Sequence, residues 1–219
     1  MNIKIANVTK EVNGSVVLNN VNMELESGAV YGLLGKNGSG KTMLMRAICG
    51  LIRPTSGAIE INGKVIGKDL SFPQSVGMIL ETPVFLPDKT GYENLLLLAS
   101  IRGEIGPHEI RAALERVGLD AEDLRKVKKY SLGMRQRLGI ACAIMEQPEL
   151  LLLDEPFNGL DESGCQLVQE IILEQRSKGC LTLLACHDRS ELETLSDHIY
   201  RVVEGRFSLV QSEVEDNAQ

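Results

Sequence analysis

The chain has 219 residues, enough for one substantial core or one domain carrying a smaller subdomain, and too few for two full-sized domains. Hydrophobic residues at 43% and charged residues at 24% exclude a disordered polypeptide. The formal charge of −7 leaves no positive field to hold a phosphate backbone, so no nucleic-acid partner is expected.

Cys49, Cys142, Cys165, Cys180 and Cys186 lack both zinc-ligand spacing and the density of a secreted disulfide scaffold, which fits a reducing cytosol and thiols packed as small hydrophobes. Met1 to Ile5 opens no apolar segment of signal-peptide length, and no uninterrupted run of about 18 apolar residues could span a bilayer. If the protein works at a membrane, another chain crosses it. A single domain is expected over residues 1–211, with an acidic tail at 212–219 that frays.

From Ile3 to Leu25, β-prone stretches broken by Asn13-Gly14 and Asn19-Asn20 predict antiparallel strands. Val30 to Leu34 predicts a short strand, then a glycine-rich loop and a helix from Lys41 to Cys49 that Gly50 stops. Strands follow at Ala58 to Ile61 and Val76 to Leu80. Thr90 with Glu93 predicts a capping box opening a helix to Ile101, and Pro107 opens another that ends at Gly118. Arg125, Lys126, Lys128 and Lys129 read as a solvated face. A third helix is expected from Gly133, so residues 82–145 form a mostly helical insertion.

The sheet then resumes with the apolar strand Leu150 to Leu153, a helix over Ser163 to Gln175, a strand over Cys180 to Ala185, and a short helix capped by Ser190 with Glu193. The fold class is α/β, with a mainly parallel core sheet, an N-terminal antiparallel β part and a helical subdomain.

Three motifs carry chemistry. Gly35-Lys36-Asn37-Gly38-Ser39-Gly40-Lys41-Thr42, lying between a strand and a helix and followed by Met43, has the phosphate-binding loop pattern. Its glycines let backbone N–H groups curl toward one point, Lys41 reaches the phosphates and the Thr42 hydroxyl suits Mg²⁺. Asp154 and Glu155 end a buried strand, so one carboxylate can face the metal and the next the attacking water. Tyr130-Ser131-Leu132-Gly133-Met134 runs into a helix whose free N–H groups can hold a second phosphate.

These motifs in this order, followed by Asn158-Gly159-Leu160-Asp161 and His187, resemble the ATP-binding subunits of ABC transporters, and the likeness runs from Ile3 to Phe207. Gly35 to Thr42 matches Walker A, Tyr130 to Met134 the signature, Leu150 to Asp154 Walker B with Glu155 next, Asn158 to Asp161 the D-loop, and His187 the switch histidine. The form Tyr-Ser-Leu-Gly-Met-Arg-Gln-Arg looks like the bacterial branch that exports peptide antibiotics such as bacitracin and lantibiotics.

The resemblance implies the P-loop ABC ATPase fold, ATP and Mg²⁺ as ligands, and Glu155 and His187 as catalytic groups. It also implies an ATP-dependent homodimer or heterodimer in which Ser131, Leu132, Gly133 and Met134 of one subunit meet the nucleotide of the other. A separately encoded transmembrane permease would hold the cassette peripherally on the cytoplasmic face of the cell membrane. Pro83-Val84-Phe85-Leu86-Pro87 is the expected docking segment.

Three departures stand out. Val12 occupies the place of the usual adenine-stacking aromatic, Glu81 that of the loop glutamine that joins Mg²⁺, and Leu132 and Met134 replace a glycine and a glutamine of the signature. A soluble ABC-type switch is the alternative reading. Against it stand a single cassette, no heptads and an acidic balance. A P-loop kinase or GTPase would leave the signature and His187 unexplained.

Overall fold

A computed structural model describes residues 1–210, so the acidic tail expected at 212–219 lies outside the described residues. β1 (Asn2–Val12) and β2 (Ser15–Glu26) pair antiparallel and turn at Asn13 (φ 49°) and Gly14 (φ 80°), the left-handed pair a two-residue hairpin needs. Asn19-Asn20, expected to be a second turn, instead lies within β2. Asn20 (φ 51°) and Asn7 of β1 (φ 50°) mark shifts in the pairing, so these asparagines make bulges that twist the hairpin without reversing it. β4 (Ser56–Ile61) and the two-residue β5 (Lys64–Val65) complete a sheet ordered β2-β1-β4-β5.

The second sheet has the order β10-β9-β3-β8-β7-β6. It comprises β3 (Val30–Leu34), β6 (Val76–Ile79), β7 (Leu150–Asp154), β8 (Leu181–Cys186), β9 (His198–Val203) and β10 (Arg206–Val210), parallel except where β10 turns back on β9. β9 and β10 carry no clear signal in the sequence. Val202 is their one fully buried side chain, so neither an apolar run nor a clean alternation marks them.

The helices are α1 (Lys41–Ile48), α2 (Gly91–Arg102), α3 (Pro107–Arg116), α4 (Leu132–Ile144), α5 (Glu162–Ser177) and α6 (Arg189–Leu195), with α2 to α4 inserted between β6 and β7. The α2 capping box forms as the spacing predicts: Thr90 Oγ1 accepts from Glu93 N at 3.1 Å, and Glu93 Oε2 accepts from Thr90 N at 2.7 Å. The cap of α6 differs from expectation. Asp188 Oδ1 accepts the Ser190 N–H at 2.8 Å while Glu193 pairs with Arg189, because the stronger carboxylate acceptor comes two residues earlier.

β7 explains its own composition. Leu150 and Leu152 join a core built from the hairpin and α1, including Ile3, Leu25 and Leu44, whereas Leu151 and Leu153 join the core of α4 and α5. Successive strand side chains point to opposite faces, and here both faces are covered. Burial pushes the Cys49 thiol up to about 12 and that of Cys180 to about 11, as expected for packed, unreactive cysteines. The basic cluster is a surface of ion pairs, Arg125 with Asp123, Lys126 with Glu93 and Lys128 with Asp88.

Candidate active site

In the parallel core, Leu34 of β3 lies beside Cys186 of β8, and Asp154 of β7 beside Ala185. The next residues, Gly35, His187 and Glu155, therefore leave the sheet at one edge. Ligands bind outside the carboxyl ends of such strands.

The loop after β3 is shaped by two glycines in left-handed conformation, Gly38 (φ 79°) and Gly40 (φ 116°). A Cβ on Gly40 would come within 2.8 Å of the Val17 carbonyl, so the hairpin and the loop approach as closely as a glycine permits. Gly40 precedes α1 with no side-chain cap, which leaves the helix's first N–H groups free for an anion. Lys41 is buried and folds back on its own loop, its Nζ donating to Gly35 O at 2.5 Å and lying 3.4 Å from Lys36 O.

Lys36 to Met43 form one wall of a cleft of about 650 Å³, with Glu81, Asp154, Glu155 and Asn158 among the residues opposite. Within it the Thr42 hydroxyl donates to Asp154 Oδ2. Burial is the main cause that raises the Asp154 carboxyl above its ordinary value, opposed by the Thr42 hydrogen bond. A buried carboxylate touching a hydroxyl is a pair of hard oxygen donors in need of a cation, so these residues fit Mg²⁺.

Glu155 has a strained left-handed backbone (φ 51°), held by its N–H donating to Ala185 O at 2.9 Å. Its Oε1 lies 3.7 Å from Lys41 Nζ and makes no hydrogen bond although buried, and its Oε2 accepts from His187 Nδ1 at 2.8 Å. A polar atom so placed has acceptor capacity left for a ligand or water.

The ABC transporter family profile matches residues 18–158, which contain the loop, the signature and the Asp154-Glu155 pair. The chain belongs to the ABC transporter family. An ABC transporter ATP-binding protein of Bacillus subtilis, YybJ, is 43% identical over 93% of this chain and 94% of its own length. The bacitracin transport ATP-binding protein BcrA of Enterococcus faecalis is 41% identical over 93% of the chain and 67% of its own length. The lantibiotic transport ATP-binding protein SrtF of Streptococcus pyogenes is 40% identical over 94% and 89%. Among solved structures, an ATP-binding subunit of an ABC transporter superposes with a TM-score of 0.85 at 28% identity, covering 96% of this chain and 90% of that one. Like other members, this ABC subunit is an ATPase.

The structure brings some of the sequence-assigned residues to this ABC cleft and leaves others outside it. Of the signature, Leu132 lines the same chain's cleft, while Ser131 caps α4 by accepting from Met134 N at 3.1 Å. Gly133 lies against the Gly159 carbonyl, and the Met134 side chain packs on the helical core. Asp161 caps α5, accepting from Gly164 N at 2.9 Å, and stands clear of the cleft. His187 touches Glu155 at the edge of the cleft and lines an adjoining cavity together with Gly35 to Ser39.

Two departures acquire a structural setting. Val12 ends β1 beside the hairpin turn and does not line the cleft, whereas Val17 of β2 does. Glu81 does line it, but its Oε1 is engaged by Arg46 Nη2 of α1 at 2.7 Å. Sequence reasoning missed Arg46, Val17 and Gln136, which also lines the cleft. None sits in a strongly patterned position; Gln136 lies between two arginines and reads as part of a polar surface.

Proposed function

We propose that this chain is the ATP-driven motor of an exporter of a peptide antibiotic or similar amphipathic substrate. It would bind Mg·ATP and close on a second cassette, identical or not. It would dock on a separately encoded transmembrane permease at the cytoplasmic face of the membrane. The observation that carries the reading is the single edge where the Gly35–Thr42 loop, Asp154 and Glu155 meet. The relatives BcrA, a bacitracin transport protein, and SrtF, a lantibiotic transport protein, support the cargo class. Among the described residues no helix is long and apolar enough to cross a membrane, consistent with a permease on another chain.

Each residue has a task in the hydrolysis of ATP by water to ADP and phosphate. The backbone N–H groups of Gly38 to Met43 and the Lys41 ammonium hold the phosphates, with Lys36, Asn37 and Ser39 shaping the loop. Thr42 and Asp154 would hold Mg²⁺, which neutralises phosphate charge when bound. Glu155 orients the attacking water and takes up its proton. His187 fixes the Glu155 carboxylate through Oε2, leaving Oε1 for the water. Ser131, Leu132, Gly133 and Met134, with Asp161 nearby, form the surface offered to the partner's nucleotide.

The Glu155→Gln variant tests the reading. It should retain ATP binding, lose at least about a hundredfold in turnover, and pair with a second cassette when saturated with Mg·ATP. Near-normal turnover would remove Glu155 from the mechanism. A persistently monomeric saturated variant, with no pairing to another cassette, would overturn the dimer. Co-purification of a membrane permease, and loss of resistance to a peptide antibiotic on deletion, test the exporter assignment.

A further inference from the structure

Gln136 is about nineteen-twentieths buried, at 5% exposure, although it lies on α4 between two arginines. Its Nε2 donates to the Pro156 carbonyl at 3.0 Å. Only the amide N–H of a glutamine can bond to a carbonyl, so this fixes which way the side chain faces. Pro156 has no N–H of its own, and its carbonyl lies one residue from Glu155, whose backbone is held in a left-handed conformation.

The same end of α4 grips the following residues twice more. The Leu132 side chain fills the space where a Cβ on Gly159 would stand, and Arg137 Nη2 donates to Asp161 Oδ1 at 3.2 Å. The loop leaving Glu155 is thus fastened at Pro156, Gly159 and Asp161 to one helix. That helix also carries the signature at its N-terminus.

We propose that Gln136 is a positioning residue for hydrolysis, its amide holding the Pro156 peptide so that the Glu155 carboxylate keeps its aim into the cleft. The signature helix is thereby coupled to the catalytic carboxylate of its own chain. A shift of α4 pulls on Pro156 and turns Glu155 away, so water attack is permitted only when the helix is seated. The inference rests on the assignment of Glu155 as the group that orients water. It adds a connection within the subunit to the proposed contact between subunits.

The test replaces Gln136 with leucine, which keeps the shape and removes the donor. Gln136→Leu should lower kcat by about tenfold or more, the scale of a small misplacement of a catalytic group, with the Kd for Mg·ATP within about twofold of wild type. In the Glu155→Gln background the same change should alter the residual rate by less than about twofold, because its target is already gone. If Gln136→Leu does not fold, Gln136→Asn, too short to reach Pro156, carries the same comparison.

An unchanged kcat overturns the proposal. So does an equal fractional loss in the Glu155→Gln background, which would mean that Gln136 acts on something other than Glu155. Full turnover in Glu155→Gln itself would instead overturn the underlying assignment of that carboxylate.

Discussion

His187 Nδ1 stands 2.8 Å from Glu155 Oε2, joining the ends of two neighbouring parallel strands across the mouth of the cleft. The hydrogen bond and charge of Glu155 hold the His187 imidazole above its ordinary value. A raised histidine value means the pair stabilises the fold fully below the ordinary histidine range, and this contribution is lost as pH rises through the raised value. NMR titration of the ligand-free protein should show His187 titrating above an exposed histidine. In Glu155→Gln it should fall back to the ordinary range, and an unchanged titration would separate the two residues.

Asp154 is strained in the opposite sense. Its carboxyl is raised by burial, so the charged form costs stability at neutral pH, and that cost fades as pH falls through the raised folded value. Asp154→Asn should therefore raise the Tm of the ligand-free protein at pH 7. It should also remove the dependence of nucleotide binding on Mg²⁺. Calorimetry and a Mg²⁺ titration read both effects, and a lower Tm with intact Mg²⁺ dependence would contradict them.

Arg46 and Glu81 form an ion pair at the rim of the cleft, both at least a third exposed. Such pairs contribute little to stability, so its meaning is electrostatic balance near the phosphates. Arg46→Gln leaves Glu81 uncompensated and should weaken ATP binding roughly threefold or more, whereas Glu81→Gln should strengthen it by a similar factor. Titration with a fluorescent nucleotide measures both, and identical affinities would show that the pair lies outside the reach of the triphosphate.

The expected docking segment divides into two kinds of residue. Phe85 packs on the helical core, but Val84 is 92% exposed, and Ile101, near the C-terminal end of α2, is 79% exposed. Contiguous exposed apolar surface marks interaction sites, and an aspartate at either position tests whether this face is one. Val84→Asp and Ile101→Asp should leave Tm within about 2 °C and reduce recovery of the permease in pull-downs severalfold. Phe85→Asp should instead unfold the helical subdomain, visible as an early thermal transition.

The sequence by itself determined the phosphate loop, the carboxylates Asp154 and Glu155, the capped start of α2 and the apolar strands, because each is encoded by neighbours in the chain. A loop between strand and helix, a box of Thr90 with Glu93, or a doubly buried run such as Leu150 to Leu153 needs no distant partner to be recognised. Only the tertiary structure decided the rest. Strands β9 and β10, the place of Val17 in the cleft wall, the Arg46–Glu81 pair and the bond from Gln136 to Pro156 all depend on segments remote in sequence meeting at one place. Sheet pairing and burial are cooperative properties of the whole fold, and they choose among side chains that local pattern leaves equivalent.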